Sequence, residues 1–66
     1  MDVIKALGRA GFKVTGQRGS HVKLEKVVNG EVTRITVPLH RTLKKGTLRR
    51  IVRDAGLTIK EFNQLL

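Results

Sequence analysis

The dipeptide Asn29-Gly30, set between two runs rich in β-branched residues, constrains this chain more than any other feature. Asn-Gly is the strongest short-range signal for a two-residue hairpin, because both turn positions need positive φ and these residues adopt it cheaply. The register follows. With Val28 facing Glu31, Leu24 stands opposite Ile35 and Val22 opposite Val37, an apolar face suited to lie under helices. The other face carries His21, Lys23, Glu25 and Val27 against Pro38, Thr36, Arg34 and Val32, with Glu25 and Arg34 spaced as an exposed ion pair.

The rest of the chain must cover one side of that hairpin. Val3, Leu7 and Ala10 recur on one face of a first helix that Asp2 is placed to cap and Gly11 to end. Phe12 to Thr15 reads as a short strand and Gly16, Gln17, Arg18 and Gly19 as a turn. After Pro38 a basic loop runs to Gly46. Leu48, Ile51, Val52 and Ala55 then form a helical stripe with Arg49, Arg50 and Arg53 outward, closed by Gly56. Thr58 and Glu61 have capping-box spacing for a third helix burying Ile59, Phe62, Leu65 and Leu66. The order is αβββαα, an α+β fold with a three-stranded antiparallel sheet and helices on one face. At 66 residues the chain has room for a single domain, 1–66, and no linker or repeat interrupts it. Leu7, Leu48, Ile51 and Val52 are expected to cover Val22, Leu24, Ile35 and Val37.

Charge narrows the function. Fourteen Lys and Arg against five Asp and Glu give a net +9, and between Val32 and Arg53 every charged residue is basic. Such a patch gains affinity for a polyanion by displacing counterions from phosphates, which makes nucleic acid the expected partner. Lys44, Lys45, Arg49 and Arg50 cluster where a helix begins, and the free amides there already favour an anion. Only Phe12 and Phe62 are aromatic, so backbone contacts are expected rather than base stacking on exposed rings. No apolar run is long enough for a membrane span. The absence of cysteine removes disulfides and thiolate chemistry and leaves the cytoplasm as the expected setting.

Few catalytic chemistries survive inspection. The Gly11 to Gly16 spacing of a phosphate loop fails because Gln17-Arg18 replaces the required Lys and hydroxyl residue. Five scattered acids and two histidines give no metal site, and no cofactor is expected. Metal-free acid/base work must lean on His21 and His40, since histidine is the side-chain type that titrates near neutrality. His21 lies on the uncovered sheet face near Lys23 and Arg34. Ser20 reads as a turn hydroxyl before it reads as a nucleophile.

Arg18-Gly19-Ser20-His21, then Ile35-Thr36-Val37-Pro38-Leu39-His40, then Leu43-Lys44-Lys45-Gly46-Thr47-Leu48-Arg49-Arg50-Ile51 through Ala55-Gly56-Leu57, resemble the HicA toxin family in this order. The resemblance spans nearly the whole chain. It implies a fold like the double-stranded-RNA-binding domain and a toxin of a type II toxin–antitoxin system that cleaves messenger RNA without a metal. It implies also a HicB-like antitoxin as partner and His21 as the active-site residue. His40 matches the family's Val-Pro-x-His position. Lys23, by register, is the cation nearest His21, and Arg18 and Arg34 join the helix cations as expected RNA contacts. The competing class is a non-catalytic RNA- or DNA-binding module, since fold alone does not make an enzyme.

Overall fold

The computed structural model describes residues 2–39 and 43–66. Its elements run α1 (Asp2–Arg9), β1 (Lys13–Arg18), β2 (His21–Val28), β3 (Glu31–Pro38), α2 (Lys45–Asp54) and α3 (Ile59–Leu65). The sheet order is β1-β2-β3, antiparallel throughout. This is an α+β fold with an open three-stranded sheet, compatible with the double-stranded-RNA-binding-domain shape.

The hairpin reading holds residue for residue. Val28 faces Glu31, Leu24 faces Ile35, Val22 faces Val37 and His21 faces Pro38. Asn29 and Gly30 take φ of 52° and 81°, the left-handed pair that matches the twist of the flanking strands. Val22, Leu24, Ile35 and Val37 are buried against Ala6, Leu7, Ile51, Val52 and Phe62, while their neighbours in sequence face outward. All three helices therefore serve one face.

Both longer helices end in the same backbone motif. Phe12 N–H donates to Leu7 O and Gly11 N–H to Gly8 O; Leu57 N–H donates to Val52 O and Gly56 N–H to Arg53 O. These paired bonds satisfy carbonyls that the helix leaves free and turn an apolar residue back onto the core. Phe12, so placed, is 4% exposed. Thr58 and Glu61 close the expected capping box at α3, with mutual bonds of 3.0 and 3.1 Å.

Several expectations need correction. Asp2 lies within the first turn of α1, where its carboxylate complements the positive end of the helix dipole. The segment from Gly16 to Arg18 is strand, and the turn is Gly19-Ser20 alone. Helix α2 begins at Lys45, one residue before Gly46. Leu48 is only half-buried, and Ile59 and Leu66 are about half exposed, at 47% and 57%. The third helix buries one residue fully, Phe62, because a helix of seven residues at the end of the stack presents a single turn to the core.

Candidate active site

The uncovered face of the sheet is built in rows that cross the strands. Arg18, His21 and Pro38 form the first row, Gly16, Lys23 and Thr36 the second, and Lys13, Glu25 and Arg34 the third. Directly paired residues of neighbouring antiparallel strands lie on the same face, about 5 Å apart at Cβ. His21 thus stands between a guanidinium and a ring that carries no N–H. Arg18, His21, Lys23 and Thr36 are all exposed.

A bulge in β1 produces the first row. Lys13 and Val14 pair with Glu25 and Leu24, but Gly16, Gln17 and Arg18 pair with Lys23, Val22 and His21, so Thr15 is an extra residue. It advances the register of everything after it by one. Were Thr15 paired in regular register with Lys23, Gln17 rather than Arg18 would oppose His21. The two-residue turn at Gly19-Ser20 then joins the strands, with Gly19 at φ 59°. Leu39 N–H donates to Ser20 O at 2.6 Å, which ties the chain beyond β3 to the same turn. His21 is held by backbone on both sides.

The remaining expected residues fall into two groups. Lys23 shares the open face with His21, two residues along β2, and Arg34 lies a row further on, paired with Glu25 through Nε and Oε2 at 3.5 Å. Ser20 is an exposed turn residue beside His21. Lys44, Lys45, Arg49 and Arg50 are exposed on or just before α2, which packs on β3 from the helix side, so they do not share the surface of His21. The amides at the start of α2 have Lys44 at the cap position without a side-chain cap, and the first turn carries no acid. His40 lies outside the described residues.

Sequence reasoning assigned Arg18 to a turn and so missed that it is the cross-strand neighbour of His21. The only trace of the bulge in the sequence is Gly16, which a strand pattern tolerates best at an irregularity. Among the described residues no cluster of three or more His, Asp or Glu is positioned to hold a metal ion, and no helix is long and apolar enough to cross a membrane.

The chemistry such a face supports is contact with a phosphodiester. Arg18 lies beside His21 and Lys23 one row away, both exposed cations, and a phosphate drawn to them would sit beside the one imidazole on the described face. Comparison with known proteins gives a family: the model for the HicA toxin of bacterial toxin–antitoxin systems matches residues 1–57. No curated protein matches the chain.

Proposed function

The chain belongs to the HicA toxin family of bacterial toxin–antitoxin systems, and we propose that it acts there as a metal-independent endoribonuclease on messenger RNA with His21 as an acid/base group. The observation that carries this reading is the row Arg18, His21, Pro38 on the uncovered sheet face, with Lys23 one row away.

In a metal-free cleavage a general base withdraws the proton of the ribose 2′-hydroxyl, and that oxygen attacks the adjacent phosphorus. A general acid then protonates the departing 5′-oxygen. The products are a 2′,3′-cyclic phosphate and a free 5′-hydroxyl. His21 supplies one of the two proton transfers. Negative charge grows on the non-bridging oxygens, and cations fixed before the reaction stabilise it without reorganising. Lys23 and Arg18 are the cations that flank the imidazole. The second proton-transfer group is sought at His40, then at Ser20, Lys23 or water.

The RNA is held by its backbone. Arg18 and Arg34 contact it on the sheet face, and Lys44, Lys45, Arg49 and Arg50 extend the positive field around the β3 side of the molecule. A HicB-like antitoxin with acidic residues would neutralise the toxin by covering His21, a pairing that the +9 charge favours electrostatically. Both partners are expected in the cytoplasm, with one HicA-like domain over residues 1–66.

The test is cleavage of single-stranded RNA by the purified protein in excess EDTA. The wild type should cut and leave cyclic phosphate ends, and His21→Ala should lose about 10²-fold or more. Products ending in 3′-hydroxyl would exclude attack by the 2′-oxygen. Binding without cleavage would leave the protein a non-catalytic RNA-binding module.

A further inference from the structure

Glu25 is out of place on this surface. The open face carries Lys13, Arg18, Lys23 and Arg34, and Glu25 stands in the middle of β2 as its one acid. A carboxylate there repels the phosphates that the other side chains attract. Its contacts within the chain do not explain its presence: the Arg34 pair is 3.5 Å long with the arginine side chain 76% exposed, and the Thr15 hydroxyl donates to the same oxygen, Oε2, at 3.4 Å. Both are longer than a good charge-assisted hydrogen bond, and an exposed pair of this kind adds little stability. Among the described residues, Oε1 has no hydrogen-bond partner.

Glu25 also lines a depression. Together with Gly11, Lys13, Thr15 and Val27 it lines an open depression of about 280 Å³, room for one nucleobase. The bulge shapes this depression, because the extra residue Thr15 brings its hydroxyl over to Glu25 and also to the carbonyl of Lys23, at 3.5 Å. Gly11 lines it without a side chain, and Val27, 65% exposed, adds an apolar one. Lys13 is the direct cross-strand partner of Glu25. A cation and a carboxylate side by side present a donor next to an acceptor. The Watson–Crick edge of guanine presents the complement, with O6 accepting beside N1–H and N2–H donating. Adenine, cytosine and uracil each lack part of that order.

We propose that the depression formed by Lys13, Thr15, Glu25 and Val27 is a base-recognition subsite for a guanine of single-stranded RNA, with the Glu25 carboxylate accepting from N1–H and N2–H and the Lys13 ammonium donating to O6. This proposal rests on the ribonuclease reading. Glu25 is two residues from Lys23 and four from His21 along β2, about 7 and 14 Å at the rise of a strand. A guanine in the depression is therefore not the nucleotide at the scissile bond but one or two removed from it, and the chain would cut at a fixed offset from guanine. The phosphate contacts give affinity and this subsite gives the choice of sequence.

The experiment selects single-stranded RNA octamers from a random pool on the His21→Ala protein, which should bind without cutting, and repeats the selection on His21→Ala with Glu25→Gln. Guanine should be enriched at one position, with affinity about tenfold above adenine there, and inosine, which lacks the N2 amine, should bind more weakly than guanine. Glu25→Gln should erase that preference while total RNA affinity stays level or rises, since a negative charge has gone. Circular dichroism of the two proteins should coincide. Enrichment of no base, or a guanine preference that survives Glu25→Gln, overturns the subsite while EDTA-resistant cleavage by the wild type keeps the ribonuclease reading. Failure of the His21→Ala protein to bind any RNA, with no cleavage by the wild type, overturns both.

Discussion

Arg18 opposes His21 across β1 and β2 because β1 carries one more residue than β2 between Val14 and Gly16. The pairing puts the Arg18 side chain on the same face as the His21 imidazole, with their Cβ atoms about 5 Å apart, and both residues are exposed among the described residues. It makes Arg18, rather than a residue of the basic helix, the cation whose loss the reaction should feel first.

Replacing Arg18 with Ala should therefore reduce RNA cleavage by about tenfold or more while leaving the fold intact. Arg18 is exposed, and exposed substitutions away from special backbone usually change stability by less than about 0.5 kcal/mol. The checks are the single-turnover cleavage rate and the urea midpoint, measured on the same preparation. Unaltered cleavage would remove Arg18 from the site. Gln17→Ala, one residue earlier on the other face of β1, should leave the rate unchanged.

The turn that joins Arg18 to His21 gives a second expectation. Gly19 sits at φ 59° with open space where a Cβ would stand, so an added methyl meets no atom but must adopt a backbone conformation unfavourable to L residues. Gly19→Ala should cost about 1 to 2 kcal/mol. Gly16 also has open space around it and is not at positive φ, so Gly16→Ala should be close to neutral. Equal losses in the two variants, read by thermal or urea unfolding, would mean that the turn does not have the conformation described.

Core burial sets a third contrast. Leu24 is 1% exposed at the centre of the sheet, whereas Leu48 lies half-buried at the edge of the core. Leu24→Ala should destabilise by about 2 to 5 kcal/mol, and Leu48→Ala by clearly less, because part of that side chain is already in water. If Leu48→Ala proved as costly as Leu24→Ala, the first turn of α2 would have to pack more deeply than the half-buried Leu48 indicates.

What the sequence made legible was whatever depended on local chemistry. Asn29-Gly30 determined the turn and the turn determined eight cross-strand pairs, including Glu25 with Arg34. Thr58 and Glu61 marked a helix start that formed as read. Gly11 and Gly56 marked helix ends. The site was less legible, because it depends on how many residues β1 places opposite β2. A bulge leaves no dedicated residue signature: Gly16, Gln17, Arg18 and Gly19 have turn composition, and only pairing with Lys23, Val22 and His21 makes the first three a strand. Propensity was overridden by a ladder of backbone hydrogen bonds. The same composition bias led Ile59 and Leu66 to be counted as core, since apolar spacing says which face a residue shares but not whether anything lies opposite.

The basic helix gives the last expectation. Lys44 is the cap residue of α2 and Lys45 its first helical residue, both exposed, with no acid in the first turn to neutralise them. They lie on the helix side of the sheet, away from His21, so they are expected to hold RNA without taking part in the chemistry. For single strands each neutralised phosphate contributes about 0.7 to the slope of log affinity against log salt. Replacing both lysines with Ala should therefore lower that slope by about 1.4 if each contacts one phosphate, and weaken binding to every sequence alike. Cleavage at saturating RNA should change little, because the cations beside His21 are untouched. Fluorescence anisotropy of a labelled RNA across a salt series measures the slope, and single-turnover cleavage measures the rate. An unchanged slope would take Lys44 and Lys45 off the RNA path and confine binding to the sheet face; a lost rate at saturation would instead bring the start of α2 into the active site.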